Sequence, residues 1–114
     1  MSDITTIPES IRYSKLPSPC VELIWASGGR VLAMPTVYLS SANWTKTDAD
    51  ERITCDWGGW VITLGGHGLQ RIPGALVRGE ICAITELEQD RADVTAGTVV
   101  TQIQALAKKP EHGD

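Results

Sequence analysis

Apolar and polar residues alternate most sharply between Glu51 and Gly65, where ERITCDW and WVITLG flank the diglycine Gly58-Gly59. A two-residue turn of the primed type would set Trp57 opposite Trp60, Cys55 opposite Ile62 and Ile53 opposite Leu64 on one surface. The other surface would pair Asp56 with Val61 and Thr54 with Thr63. This register sorts nearly every apolar side chain to one side, and a slip of one residue would destroy the sorting. The pattern predicts a hairpin.

A second hairpin is predicted upstream, where CVELIWA (20–26) and RVLAMPTVYL (30–39) flank Ser27-Gly28-Gly29. Pro35 lacks a donor, which places that strand at a sheet edge or a bulge. Residues 40–50 are polar and read as a surface loop in which Trp44 stands alone. After the Trp hairpin, Leu69, Ile72 and Leu76 have helical spacing interrupted by Pro73 and Gly74, so a helical turn is expected there. GEICAITEL (79–87) carries apolar residues on both faces and reads as a central strand. Residues 86–93 are acidic and expected to be exposed. TVVTQI (98–103) fits a helix through Val99, Ile103 and Leu106, but its β-branched residues favour a strand.

These elements predict a mainly β fold: a small bent sheet or barrel of five to six mostly antiparallel strands with one short helical turn. The expected organisation is an extended lead-in over 1–19, broken by Pro8, Pro17 and Pro19 and anchored through Ile7, Ile11 and Leu16. A single domain follows over 20–105, then a flexible tail over 106–114.

Length and composition are consistent with one folded domain, since 114 residues with 42% hydrophobic and 21% charged content resemble an ordinary globular chain. The net charge of -4 is spread evenly, because each half holds 5 basic and 7 acidic residues. That balance argues against a general nucleic-acid coat and leaves only a local basic patch open. No apolar run is long enough for a bilayer, and MSDITTIPES has neither a basic nor an apolar leader segment, so no membrane partner is expected. Cys20, Cys55 and Cys82 sit widely spaced in apolar stretches, which fits buried reduced thiols and a cytoplasmic setting.

Candidate chemistry is sparse. Of the two histidines, His112 lies in the tail, and His67 lies among Gly65, Gly66 and Gly68, where a turn role outweighs a catalytic or metal role. Asp48, Asp50 and Glu51 read as a solvated loop face, and no phosphate-binding glycine motif occurs. No catalytic residue, metal or cofactor is expected. Trp57 and Trp60 would point the same way, either as an aromatic platform for a ligand or as a cap on the core, and Trp44 joins them as a binding candidate.

The segment Leu76-Val77-Arg78-Gly79-Glu80-Ile81, followed by Ile84, resembles the second motif of Sm-like proteins. The resemblance implies a small bent barrel, assembly into rings by strand pairing between subunits, and an RNA contact at Arg78 and Gly79. No counterpart of that family's first, Asp- and Asn-bearing loop is present. Three functional classes follow in order: a non-catalytic protein-interaction or assembly module that self-associates, an Sm-like RNA-binding protein, and a small enzyme built around His67 with Asp56 or Glu80. The expected partner is another copy or another protein, with nucleic acid less favoured.

Overall fold

A computed structural model describes residues 10–26, 29–48, 50–88 and 98–108. In chain order the elements are β1 (Ile11–Tyr13), β2 (Cys20–Ile24), β3 (Val31–Pro35), a 3-10 turn (Thr36–Tyr38), β4 (Leu39–Lys46), β5 (Glu51–Trp57), β6 (Trp60–His67), α1 (Ile72–Val77), β7 (Ile81–Thr85) and β8 (Val99–Ala107).

The hairpin β5–β6 has the register that its alternation predicts, pairing Trp57 with Trp60, Cys55 with Ile62 and Ile53 with Leu64. Gly58 takes φ 60° whereas Gly59 stays out of the positive region, the φ pattern of a type II′ turn. β4 and β8 extend this hairpin to the order β4-β5-β6-β8, and a second sheet runs β1-β7-β2-β3. Within the second sheet β2 and β7 are parallel and β7 is central, as its two apolar faces require. Strand β3 is an edge and ends on Pro35. Of the segment 98–103, all but Thr98 belongs to a strand, as its β-branched residues favour.

The fold is mainly β, but its layout differs from one bent sheet or barrel of five to six strands. The described residues form eight strands in two four-stranded sheets, neither closed on itself. The extra strands come from segments whose sequence hides them. Residues 40–46, expected as part of a loop over 40–50, join Leu39 in β4, in which Ala42 and Trp44 turn toward the core while Ser41, Asn43 and Thr45 are exposed. Within the lead-in, Ile11 is buried and β1 pairs antiparallel with β7, whereas Leu16 is 76% exposed and anchors nothing. Ile7 lies outside the described residues. At the other end, Leu106 and Ala107 complete β8 rather than beginning the tail, and residues 109–114 lie outside the described residues.

The two sheets share one core. Val21, Leu23, Met34, Ile81 and Ile84 of one layer pack in the same cluster as Ile53, Cys55, Trp57, Ile62, Leu64 and Ile103 of the other. Burying both apolar faces against each other is what makes two layers stable. α1 adds Ile72, Ala75 and Leu76 to this core and tolerates Pro73 because the proline falls in the first turn, where no intrahelical donor is needed. Among the described residues, no helix is long and apolar enough to cross a membrane.

Polar side chains stitch the layers together along β8. The buried Ser10 hydroxyl accepts from Val100 N–H at 2.8 Å. Leu87 N–H donates to the Val100 carbonyl at 2.8 Å. Glu86 accepts from Ile103 N–H with one oxygen and from Ala26 N–H with the other. No buried side-chain nitrogen or oxygen among the described residues lacks a partner, as a well-formed interior requires.

Candidate functional site

The hairpin register brings Trp57 and Trp60 to one side of the sheet, but they sit at different depths. Trp57 is fully buried and its indole N–H donates to the Pro35 carbonyl at 2.7 Å, so it locks the 3-10 turn region to the core. Trp60 is partly buried at the rim of the same core. A platform needs two exposed ring faces, and Trp57 offers none.

The other candidates are dispersed. Arg78 caps the end of α1 and forms two hydrogen bonds to Glu80, at 2.8 and 3.1 Å, which hold Glu80 below the usual carboxylate range. Gly79 is buried with φ 73°, and its α-carbon faces Pro17 and Ser18. Arg78-Gly79 thus follows a helix, not the strand that the Sm-like motif implies. His67 ends β6, paired with Val99. Asp56, one partner proposed for a catalytic His67, instead ion-pairs with Lys108, and Glu80 is taken by Arg78. No group of three or more His, Cys, Asp or Glu among the described residues could hold a metal ion. Of the three thiols only Cys55 is buried, and desolvation pushes its pKa up to about 12; Cys20 and Cys82 are partly exposed.

Trp44 stands in a more organised setting. Its indole N–H donates to Glu51 Oε1 at 2.9 Å. The same oxygen accepts from Leu69 N–H, and Oε2 accepts from Gly68 N–H, both at 2.8 Å. The Glu51 carboxylate therefore clamps the chain leaving β6 onto the start of β5. Burial disfavours the ionised carboxylate, but the hydrogen bonds from Trp44, Gly68 and Leu69 and the charge of Lys46 outweigh it, and the pKa of Glu51 falls below its ordinary 4.5. Beside this clamp lies an open pocket of about 420 Å³. It is lined by Trp44 and Lys46 of β4, Glu51 of β5, Gly68, Gln70 and Arg71 from the chain before α1, and Thr98 just before β8. Sequence reading singles out Trp44 and Glu51 within it and misses Lys46, Gln70 and Arg71, which look like ordinary surface residues until the fold gathers them.

The sheet edges form the second organised feature. In β2–β3, Trp25 N–H donates to the Arg30 carbonyl and Thr36 N–H to the Pro19 carbonyl. With the alternation of an antiparallel ladder, the hydrogen-bonded pairs are then Leu23 with Leu32 and Val21 with Met34. The N–H and C=O groups of Val31 and Ala33 therefore point away from β2, toward the open edge. Val31 is 55% exposed, and Val37 and Tyr38, just past the strand, are 81% and 60% exposed. The other edges are wholly or partly covered. β1 has three residues and a register break, β4 lies beside α1, and the β8 edge is occupied at Val100 and Ile103 by Ser10, Leu87, Trp25 and Glu86.

Compared with protein-family models, curated proteins and solved structures, this chain matches none.

Proposed function

We propose that this chain is a non-catalytic assembly module that pairs with a second copy of itself along β3. The observation that carries this reading is the open β3 edge, whose unpaired outward N–H and C=O groups belong to Val31 and Ala33, the Pro35 carbonyl being taken by the Trp57 indole. An antiparallel pairing of two copies about a two-fold axis through Leu32 sets Val31 of one copy opposite Ala33 of the other. Each such pair exchanges two hydrogen bonds, so the two pairs satisfy all four outward groups of each copy without involving Pro35. Two four-stranded sheets become one continuous eight-stranded sheet, and Val31 is partly covered. Exposed strand edges favour such pairing unless they are blocked, and β3 carries no charged side chain.

The test is the mass of the full chain in solution by light scattering. The expected result is a dimer, twice the 12.3 kDa of one chain. Ala33→Pro removes an N–H that faces away from β2 and so leaves the β2–β3 ladder whole, and it is expected to give a folded monomer. Val31→Lys, which places like charges near each other across the axis, gives a second route to the monomer. A wild-type monomer at about 100 μM, a concentration at which even weak specific dimers are populated, overturns the reading. So does a dimer that survives both substitutions with native circular dichroism.

A further inference from the structure

The pocket beside Trp44 has a chemical character that the assembly reading does not use. Its negative charge is committed: both Glu51 oxygens are held by the indole N–H of Trp44 and the N–H groups of Gly68 and Leu69. Thr98 is committed too, its hydroxyl donating to the Gly68 carbonyl at 3.0 Å. Among the described residues, no ion pair engages Arg71 or Lys46, although Lys46 lies close enough to Glu51 to lower its pKa. Among the described residues, the lining groups with no ion pair or hydrogen bond are thus two cations and the Gln70 amide, beside the half-buried indole of Trp44.

We propose that this pocket binds a small planar ring bearing an oxyanion, with the ring against Trp44 and the carboxylate or phosphate between Arg71 and Lys46. Three features of the site lead to this class. The volume, about 420 Å³, lies within the range of small-ligand pockets. The guanidinium of Arg71 presents paired donors that match the two oxygens of a carboxylate or phosphate, and Lys46 adds a point charge. The Trp44 indole N–H is fixed on Glu51, which holds the ring in one orientation and so prepares its face for stacking. The Glu51 oxygens are already satisfied by three N–H donors, and Lys46, close enough to attract Glu51 but not ion-paired with it, would be shared between that carboxylate and the ligand's anion.

The carboxylate and phosphate versions are separated by the choice of probe. Indole-3-carboxylate carries a ring and a carboxylate, adenosine monophosphate a ring and a phosphate, tryptamine a ring and a cation, and inorganic phosphate an anion alone. The readout is the indole ¹H–¹⁵N resonances of the full chain, with that of Trp44 assigned by Trp44→Phe. The expected result is saturable movement of the Trp44 resonance by at least one of the two ring anions and none by tryptamine. Affinity should drop about tenfold in Arg71→Gln and again in Lys46→Gln, as for charge-assisted contacts. Unmoved Trp25 and Trp57 resonances in those variants report an intact fold. Absence of saturation by both ring anions up to about 10 mM, beyond the weakest useful affinities, overturns the proposal. Equal binding of tryptamine, equal binding of inorganic phosphate alone, or affinities untouched by both substitutions also overturn it.

Discussion

The indole N–H of Trp25 donates to the main-chain carbonyl of Ile103 at 2.8 Å, so a side chain of one sheet occupies the edge of the other. The N–H of the same Ile103 is held by Glu86 at 2.8 Å. Because Lys108 N–H donates to the Gly59 carbonyl, the ladder alternation directs both polar groups of Ile103 away from β6. An unpaired edge at this point would invite another strand. Trp25 and Glu86 supply the partners that such a strand would offer, and Arg30, stacked 4.3 Å from the Trp25 ring centre, holds the plug in place.

Removing that plug should open β8. Trp25→Phe keeps most of the apolar contact and deletes the N–H, leaving the Ile103 carbonyl without its donor, a loss of about 1–2 kcal/mol in stability. Glu86→Ala strips two main-chain donors of their acceptor at once and is expected to cost more. Urea denaturation gives the energies. A slower fibril-specific dye signal, rising in both variants and absent in the wild type, would report the freed edge; unchanged stability in both would contradict the assigned role.

Glu51 gives the chain a specific acid sensitivity. Its pKa is lower in the folded state than the ordinary 4.5 because the folded chain alone supplies the Trp44, Gly68 and Leu69 donors and the nearby Lys46 charge, which together exceed the cost of burial. The stabilisation is therefore complete above the unfolded value and fades as pH falls through the lower, folded one. Glu51→Gln should be less stable than the wild type at pH 7 by about 1 kcal/mol, at the low end for hydrogen bonds to a charged group because the carboxylate borders solvent. Denaturation midpoints between pH 7 and pH 2 should converge as the wild type loses the charge. A gap that stays constant with pH would assign the effect to something other than ionisation.

The reactivity of the three thiols should follow their exposure. Cys55 is buried, and its pKa of about 12 leaves almost no thiolate at pH 8. Mass spectrometry after iodoacetamide treatment of the native chain should show Cys20 and Cys82 alkylated while Cys55 stays intact, and all three modified in guanidinium. Rapid native labelling of Cys55 would mean that the core opens at the β5–β6 hairpin.

Different parts of this fold were legible to different degrees, and the reasons are physical. The Trp hairpin was readable because only one register buries Trp57, Cys55 and Ile53 together with Ile62 and Leu64. Strand β4 was not, since an edge strand with a solvated outer face needs few apolar residues, and Ala42 and Trp44 alone mark its inward side. β1 is three residues among prolines and owes its structure to β7, not to its own pattern. Depth is equally hidden: alternation puts Trp57 and Trp60 on one face, but Trp57 lies fully inside with its indole N–H on the Pro35 carbonyl while Trp60 stays at the rim. The Trp44 pocket joins residues from β4, β5 and the chain before α1 and β8, and the direction of the Gly68 and Leu69 N–H groups, which fixes Glu51, leaves no trace in composition.

Two glycines that look alike in the sequence should respond very differently to a methyl group. At Gly66 a β-carbon would lie 1.9 Å from the Val99 carbonyl oxygen and 3.0 Å from the Val100 α-carbon, both main-chain atoms of the neighbouring strand. This is also where the β6–β8 register shifts, between Gly65 and Gly66, so the close approach belongs to a bulge near the start of β8. A flexible side chain could move aside, but a strand held by Ser10 and Leu87 at Val100 cannot do so without breaking those contacts. Gly59 sits in a turn, has no positive φ and has open space where its β-carbon would stand. Gly66→Ala is therefore expected to cost about 3 kcal/mol or more, in the range of the most disruptive single substitutions. Gly59→Ala should change stability by no more than about 0.5 kcal/mol. Paired urea titrations measure both, and equal losses at the two positions would show that β8 does not approach β6 at Gly66 as closely as described.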